Sequence, residues 1–283
     1  MIRLENVTKI YPPTVSVDNL SMHVAPGEFY GLLGPNGAGK TTTIRLITAL
    51  TNPTKGGIMV NGFPVRRNET RFKAELGLVP QHNNLEPELT VTENLRLHAM
   101  LYGMPAVQAT SRIEELLAFA ELEEKASAVV NTLSGGMKRK TMIIRALMHN
   151  PRVLLLDEPT VGLDVFARRK VWDLLKSLNT RGITILLATH YLEEAEKLCT
   201  RIGLLKKGRL IMEGSPDELA AMVGPVVVEH FFNDKTALHF FKSQQEALEY
   251  AGTLQVEFNI RKTGLEDVFV KLTEERASAS CMV

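Results

Sequence analysis

The sequence predicts an α/β fold: a mixed, largely parallel sheet covered by helices, an inserted α-helical subdomain, and a small C-terminal α+β appendage. Three observations carry this expectation. Short apolar runs recur at residues 28–33, 153–156 and 183–188 with helical patterns between them, and strands that are apolar on both faces belong in a sheet covered on both sides. A block from 89 to 145 reads as helix and breaks that alternation. After Pro216 the pattern changes again, to short strands and helices in a small compass.

Each element follows from its own pattern. Ile2, Leu4 and Val7 alternate with polar residues, and Pro26-Gly27 marks a turn before the run ending in Leu32-Leu33. Ile44 and Ile47 recur at helical spacing between Lys40 and Leu50. Residues 56–62 read as a strand closing in an Asn-Gly turn, and 76–79 as a further short strand. Leu95, Leu97 and Leu101, then Ile113, Leu116, Leu117, Phe119 and Ala120, mark helices between 89 and 128. A strand at 153–156 precedes a helix over 165–178 and a strand over 183–188. The appendage is expected as a strand over 226–232, a helix over 237–250, a strand over 254–260 and an amphipathic helix over 265–272, with 278–283 a frayed tail. The expected division is 1–215 with an insert at about 82–145, then an accessory domain at 216–283.

Bulk properties exclude several classes. The 283 residues are 45% apolar and 23% charged, with 33 basic and 32 acidic side chains for a net charge of +1. That balance offers no nucleic-acid surface, and 6% aromatic content offers no base-stacking platform. Cys199 and Cys281 are too few and too far apart for a disulfide framework. No stretch approaches the roughly 18 apolar residues of a membrane span, and the first residues lack the apolar core of a secretory signal.

Gly34-Pro35-Asn36-Gly37-Ala38-Gly39-Lys40-Thr41 fits G-x-x-x-x-G-K-[ST], between an expected strand and an expected helix. A triphosphate is a concentrated anion, and glycines let backbone N–H groups turn inward around it. The helix N-terminus adds its dipole. Lys40 is the cation for the β- and γ-phosphates, and Thr41 offers a hydroxyl to Mg²⁺.

The strand at 153–156 ends in Asp157-Glu158. In parallel sheets the strand C-termini face the ligand crevice. Asp157 is the expected Mg²⁺ ligand, and Glu158 the residue that polarises an attacking water.

Leu133-Ser134-Gly135-Gly136-Met137-Lys138-Arg139-Lys140, shortly before the acidic strand, resembles the LSGGQ signature of ATP-binding-cassette proteins. The remaining motifs stand in the family's order over residues 2 to about 215. Tyr11 resembles the aromatic residue that stacks on adenine, Gln81 the Q-loop glutamine, Gly162-Leu163-Asp164 the D-loop, and His190 the switch histidine. The resemblance implies an ABC-type P-loop ATPase. It adds Thr42, Ser134, Gly135, Gly136 and Asp164 to the ATP contacts and Gln81 to the Mg²⁺ ligands, and gives catalytic roles to Gln81 and His190 beside Lys40 and Glu158. Met137 departs from the usual glutamine. LSGGM followed by basic residues, and the ending Leu265-Glu266-Asp267-Val268-Phe269, resemble an exporter branch whose permeases are separate chains, the drug-resistance and polysaccharide-export ATPases.

The resemblance therefore implies a head-to-tail homodimer closed by two ATP molecules, each covered by the other subunit's signature. It also implies an integral membrane permease as partner and a place on the cytoplasmic face of the cell membrane. The alternative is a soluble cassette ATPase acting in assembly or remodelling without transport. A nucleotide-binding switch without turnover is a second alternative, against which the complete acidic and histidine positions argue.

Overall fold

The computed structural model describes residues 1–232 and 235–271. Leu272, Cys281 and the expected tail at 278–283 lie outside the described residues.

The chain opens with β1 (Ile2–Tyr11) and β2 (Thr14–Val24), an antiparallel pair. The buried β3 (Phe29–Leu33) then leads into α1 (Lys40–Ile47). β4 (Lys55–Val60) and β5 (Phe63–Pro64) complete a four-stranded sheet in the order β2-β1-β4-β5. Asn61 (φ 48°) and Gly62 (φ 83°) make the turn between them. Both take the left-handed region that a two-residue hairpin of matching twist requires, which is why Asn-Gly signals it.

After the short α2 (Arg71–Ala74), β6 (Leu76–Val79) enters a second sheet. The helical insert follows as α3 (Val91–Leu101), α4 (Ala106–Phe119) and α5 (Gly135–Ala146). The start of α3 is fixed by a reciprocal cap. Glu93 N–H donates to Thr90 Oγ1 at 3.2 Å, and Thr90 N–H to the Glu93 carboxylate at 2.8 Å. The chain returns through β7 (Val153–Asp157), α6 (Val165–Thr180), β8 (Thr184–Thr189) and α7 (Leu192–Leu198). A hairpin of β9 (Arg201–Lys206) and β10 (Arg209–Gly214) ends this part, turning through Lys207 (φ 48°) and Gly208 (φ 79°). The six-stranded sheet has the order β10-β9-β3-β8-β7-β6, parallel except for β10 at its edge.

The unbroken apolar runs serve two cores. Leu154, Leu156, Ile185 and Leu187 face the core that holds the insert and α6. Their neighbours Val153, Leu155, Leu186 and Ala188 face the core that holds α1 and the four-stranded sheet. Successive strand residues point to opposite faces, so only strands apolar at every position seal both sides. Truncating a leucine such as Leu155, fully buried, to alanine should cost about 2–5 kcal/mol.

Beyond α8 (Pro216–Val223) come β11 (Val226–Phe232), β12 (Lys235–Phe241), α9 (Gln244–Ala251) and β13 (Phe258–Lys262), the strands ordered β12-β11-β13. Two expectations are corrected here. The helix expected over 237–250 is a strand up to Phe241 and a helix only from Gln244. Ser243 sets the boundary, accepting from Glu246 N–H at 3.2 Å. The segment 235–241 mixes β-branched and aromatic residues with polar ones, and it pairs with β11 along its whole length, so sheet pairing overrides its weak helical pattern. The strand expected over 254–260 begins at Phe258. The last helix, described over 265–271, sends Leu265 and Val268 into the core that contains the insert.

Candidate nucleotide site

Four loops that leave the C-terminal ends of β3, β6, β7 and β8 carry the phosphate loop, Gln81, Asp157-Glu158 and His190. Strand pairing aligns them: β3 lies beside β8, β8 beside β7, and β7 beside β6. This is the crevice position expected of an open parallel sheet.

The phosphate loop is held so closely that two glycines are obligatory. A Cβ on Gly34 would run into the carbonyl of Leu205 in β9, and one on Gly39 into the carbonyl of Ser16 in β2. Gly39 also has φ 109°, outside the reach of ordinary L-residues. No side chain caps α1 and none of the residues in its first turn is acidic, so its first N–H groups and its dipole are left for an anion. Lys40 is 5% exposed, and its ammonium donates to the carbonyls of Gly34 at 2.8 Å and Pro35 at 3.2 Å.

Thr41 Oγ1 donates to Asp157 Oδ1 at 3.1 Å. Burial pushes the Asp157 carboxyl above its usual range; the Thr41 hydroxyl, Lys40 and Arg45 oppose the rise, while the charge of Glu158 adds to it. A half-buried hydroxyl and a buried carboxylate form a hard-oxygen pair that fits a divalent cation such as Mg²⁺.

Glu158 has φ 51°, a left-handed turn fixed by its N–H donating to the Ala188 carbonyl at 2.8 Å. The turn swings its carboxylate back over the cleft. One oxygen meets His190 Nδ1 at 2.9 Å and the other lies 3.4 Å from Lys40 Nζ. The cleft has a volume of about 150 Å³ and is lined by Asn36, Gly37, Gly39 to Thr42, Ser16, Gln81 and Glu158. A hollow of about 270 Å³ adjoins it, sharing Thr41 and Gln81 and bordered by Asp157.

Other expected contacts lie outside this cleft. Tyr11 is 42% exposed at the end of β1, with Lys9 Nζ 4.8 Å from its ring. Ser134 is the exposed N-cap of α5, accepting from Met137 N–H at 3.3 Å. Asp164 caps α6 in the same way, through Ala167 N–H at 2.9 Å. Gly135 lies against Leu163, and Gly136 so close to Ala167 that a Cβ would press on its methyl. The signature and the D-loop are thus neighbours on two exposed helix starts.

Three residues near the site were missed by sequence reasoning. Ser16, on β2, shares a 2.8 Å hydrogen bond with Thr42. Glu194, fully buried behind the acidic pair, accepts from Thr160 at 2.9 Å and Trp172 at 3.2 Å, and burial raises its carboxyl pKa. Arg139, in α5, donates to the carbonyls of Pro80 at 2.8 Å and Gln81 at 3.1 Å. No local signal marks the first two; the basic run after the signature is the one trace of the third.

A phosphate cradle at a central strand, with an acidic pair one strand removed, defines a P-loop nucleotide-binding ATPase. Comparison with known proteins narrows the class. The ABC transporter family model matches residues 17–161. The Nod factor export ATP-binding protein I of Paraburkholderia xenovorans is 43% identical, with 96% of each chain covered. The protein of that name from Rhizobium etli is 42% identical, with 96% of this chain and 93% of the relative covered. A solved ATP binding subunit of an ABC transporter superposes with a TM-score of 0.73 at 28% identity, over 96% of this chain and 99% of that one. A dimeric ATP-binding cassette in a post-hydrolysis state, bound to ADP and Pi, gives a TM-score of 0.68 at 33% identity over 76% and 98%. The chain belongs to the ABC transporter family. It is an ATP-binding, ATP-hydrolysing transporter subunit, as its resemblance implied.

Proposed function

We propose that two copies of this chain close head to tail over two ATP molecules and drive a separate membrane permease in the export direction. One observation carries the reading: Ser134, Gly135 and Asp164 stand on exposed helix starts, outside the cleft lined by their own chain's phosphate loop. A second copy is the natural source of the missing wall. The likeness to a dimeric cassette supports this, and the relatives' names support export.

In this reading Tyr11 stacks on adenine, Gly34 to Thr42 wrap the phosphates, and Lys40 turns from its carbonyls to the β- and γ-phosphates. Thr41, Asp157 and Gln81 hold Mg²⁺, which when bound neutralises phosphate charge. Glu158, tethered to His190, orients water for attack on the γ-phosphorus while the bond to the ADP oxygen breaks. His190 stabilises the γ-phosphate charge, and loss of that phosphate opens the dimer.

The insert is the proposed grip on the permease. Met100 and Leu101 of α3 are 69% and 76% exposed, and His98 and Tyr102 of the same stretch help line a cleft of about 800 Å³. No helix among the described residues is long and apolar enough to cross a membrane, so the permease would hold this chain at the cytoplasmic face. Residues 216–283 form an accessory unit in the same proposal.

The test is affinity purification from gently solubilised native membranes, with mass spectrometry of what accompanies the chain. A stoichiometric multi-span protein is expected. Recovery with cytosolic partners alone would favour a soluble remodelling ATPase.

A further inference from the structure

Gln81 lines both hollows of the site with an exposed side chain, so packing does not hold it in place. What holds it is its backbone. The guanidinium of Arg139 donates one N–H to the Pro80 carbonyl at 2.8 Å and another to the Gln81 carbonyl at 3.1 Å. Arg145, in the same helix, donates to the Asn84 carbonyl at 2.7 Å.

Arg139 is 7% exposed and, among the described residues, forms no ion pair; Glu194 and Asp157 act on it only through their charge. A buried cation facing neutral carbonyls is a poor device for stability alone. Its planar fork suits two adjacent carbonyls, which a lysine's point charge does not.

Arg139 sits five residues into the helix that Ser134 caps, about 7.5 Å along a rigid rod. Gly135 and Gly136 at its start rest on Leu163 and Ala167. We propose that Arg139 is a positioning residue that ties Gln81 to the signature helix, so that whatever Ser134 to Gly136 grip is reported to the cleft of the same chain. This rests on the head-to-tail reading. There the signature grips the partner's ATP, and the relay makes the two nucleotide sites sense one another.

The test uses the full chain with Arg139→Gln, Arg139→Lys, Gln81→Ala and the Arg139→Gln/Gln81→Ala pair. Arg139→Gln should lower kcat about tenfold with little change in KM for ATP, and reduce the Hill coefficient toward one. Arg139→Lys should recover part of the rate, and it serves as the probe if the glutamine variant fails to fold. In the Gln81→Ala background, Arg139→Gln should cost nothing further. An equal loss in both backgrounds, or no loss at all, overturns the relay.

A second readout avoids turnover. In a Glu158→Gln background, ATP should slow amide exchange across residues 80–85 when Arg139 is present and fail to do so with Arg139→Gln. Equal protection in both overturns the proposal. A Glu158→Gln chain that stays monomeric with ATP removes the head-to-tail reading and the relay together, whereas a dimer that forms without the exchange difference removes the relay alone.

Discussion

His190 Nδ1 lies 2.9 Å from one carboxylate oxygen of Glu158 and thereby fixes the direction in which the other oxygen points. That second oxygen sits 3.4 Å from Lys40. A lysine drawn to phosphate would leave Glu158 free to meet water while His190 still orients it.

Glu158→Gln keeps the shape and hydrogen-bonding reach of the side chain but removes its charge. ATP affinity should stay within a few-fold, and hydrolysis should fall by at least about a hundredfold. Size-exclusion chromatography should show a dimer that forms with ATP and persists. Normal turnover in this variant would remove Glu158 from its role.

Lys40→Ala removes the cation at the cradle. ATP should no longer raise the thermal midpoint, because a ligand stabilises only in proportion to its binding. A retained ATP-dependent shift would mean that backbone groups alone hold the phosphates.

Composite sites make a prediction that a monomeric site does not. Lys40→Ala destroys a cradle and Ser134→Arg destroys a cover, so each homodimer should be inactive. Mixed together they should regain activity, because the heterodimer contains one intact cradle facing one intact cover. Absence of recovery, with both proteins folded, would argue against the head-to-tail arrangement.

Asp157 links stability to pH. Its carboxyl is raised in the folded chain, chiefly by burial, so between the ordinary carboxylate pKa and the raised one the folded state binds more protons than the unfolded state. Stability from this group is present below the ordinary carboxylate pKa and is lost as pH rises through the raised value. Asp157→Asn should therefore flatten the pH dependence in that window and raise the nucleotide-free melting temperature at neutral pH. It should also abolish the stabilising effect of Mg²⁺ with ATP. Thermal scans across pH, with and without the metal, check both parts.

Gly39→Ala should cost about 1–3 kcal/mol through its left-handed backbone, more if the Ser16 carbonyl cannot move aside. Nucleotide binding should fail with it. Chemical unfolding and equilibrium binding on the same protein separate the two effects.

The phosphate loop and the Asp157-Glu158 pair were legible because each is written within one strand and the turn that follows it. Apolar runs with a glycine or acidic break are local signals, and the sheet only had to bring their ends together. Gln81, His190 and the signature carry no such local signal and entered only through resemblance to a family's ordered motifs. The boundary between β12 and α9 was not legible, since a segment of mixed pattern takes its form from the strand beside it.

Sequence by itself determined the family, the strand that leads into the glycine loop, and the candidate residues for a triphosphate site. Tertiary structure alone decided which of them share a cleft. Tyr11, Ser134 and Asp164 stand apart from the cradle that Lys40 and Glu158 share, and Arg139 reaches Gln81 across fifty-eight positions. The physical reason is that a motif is fixed by neighbours along the chain, whereas a site is fixed by strand order and helix packing. Those depend on burying two cores at once, which no single segment encodes.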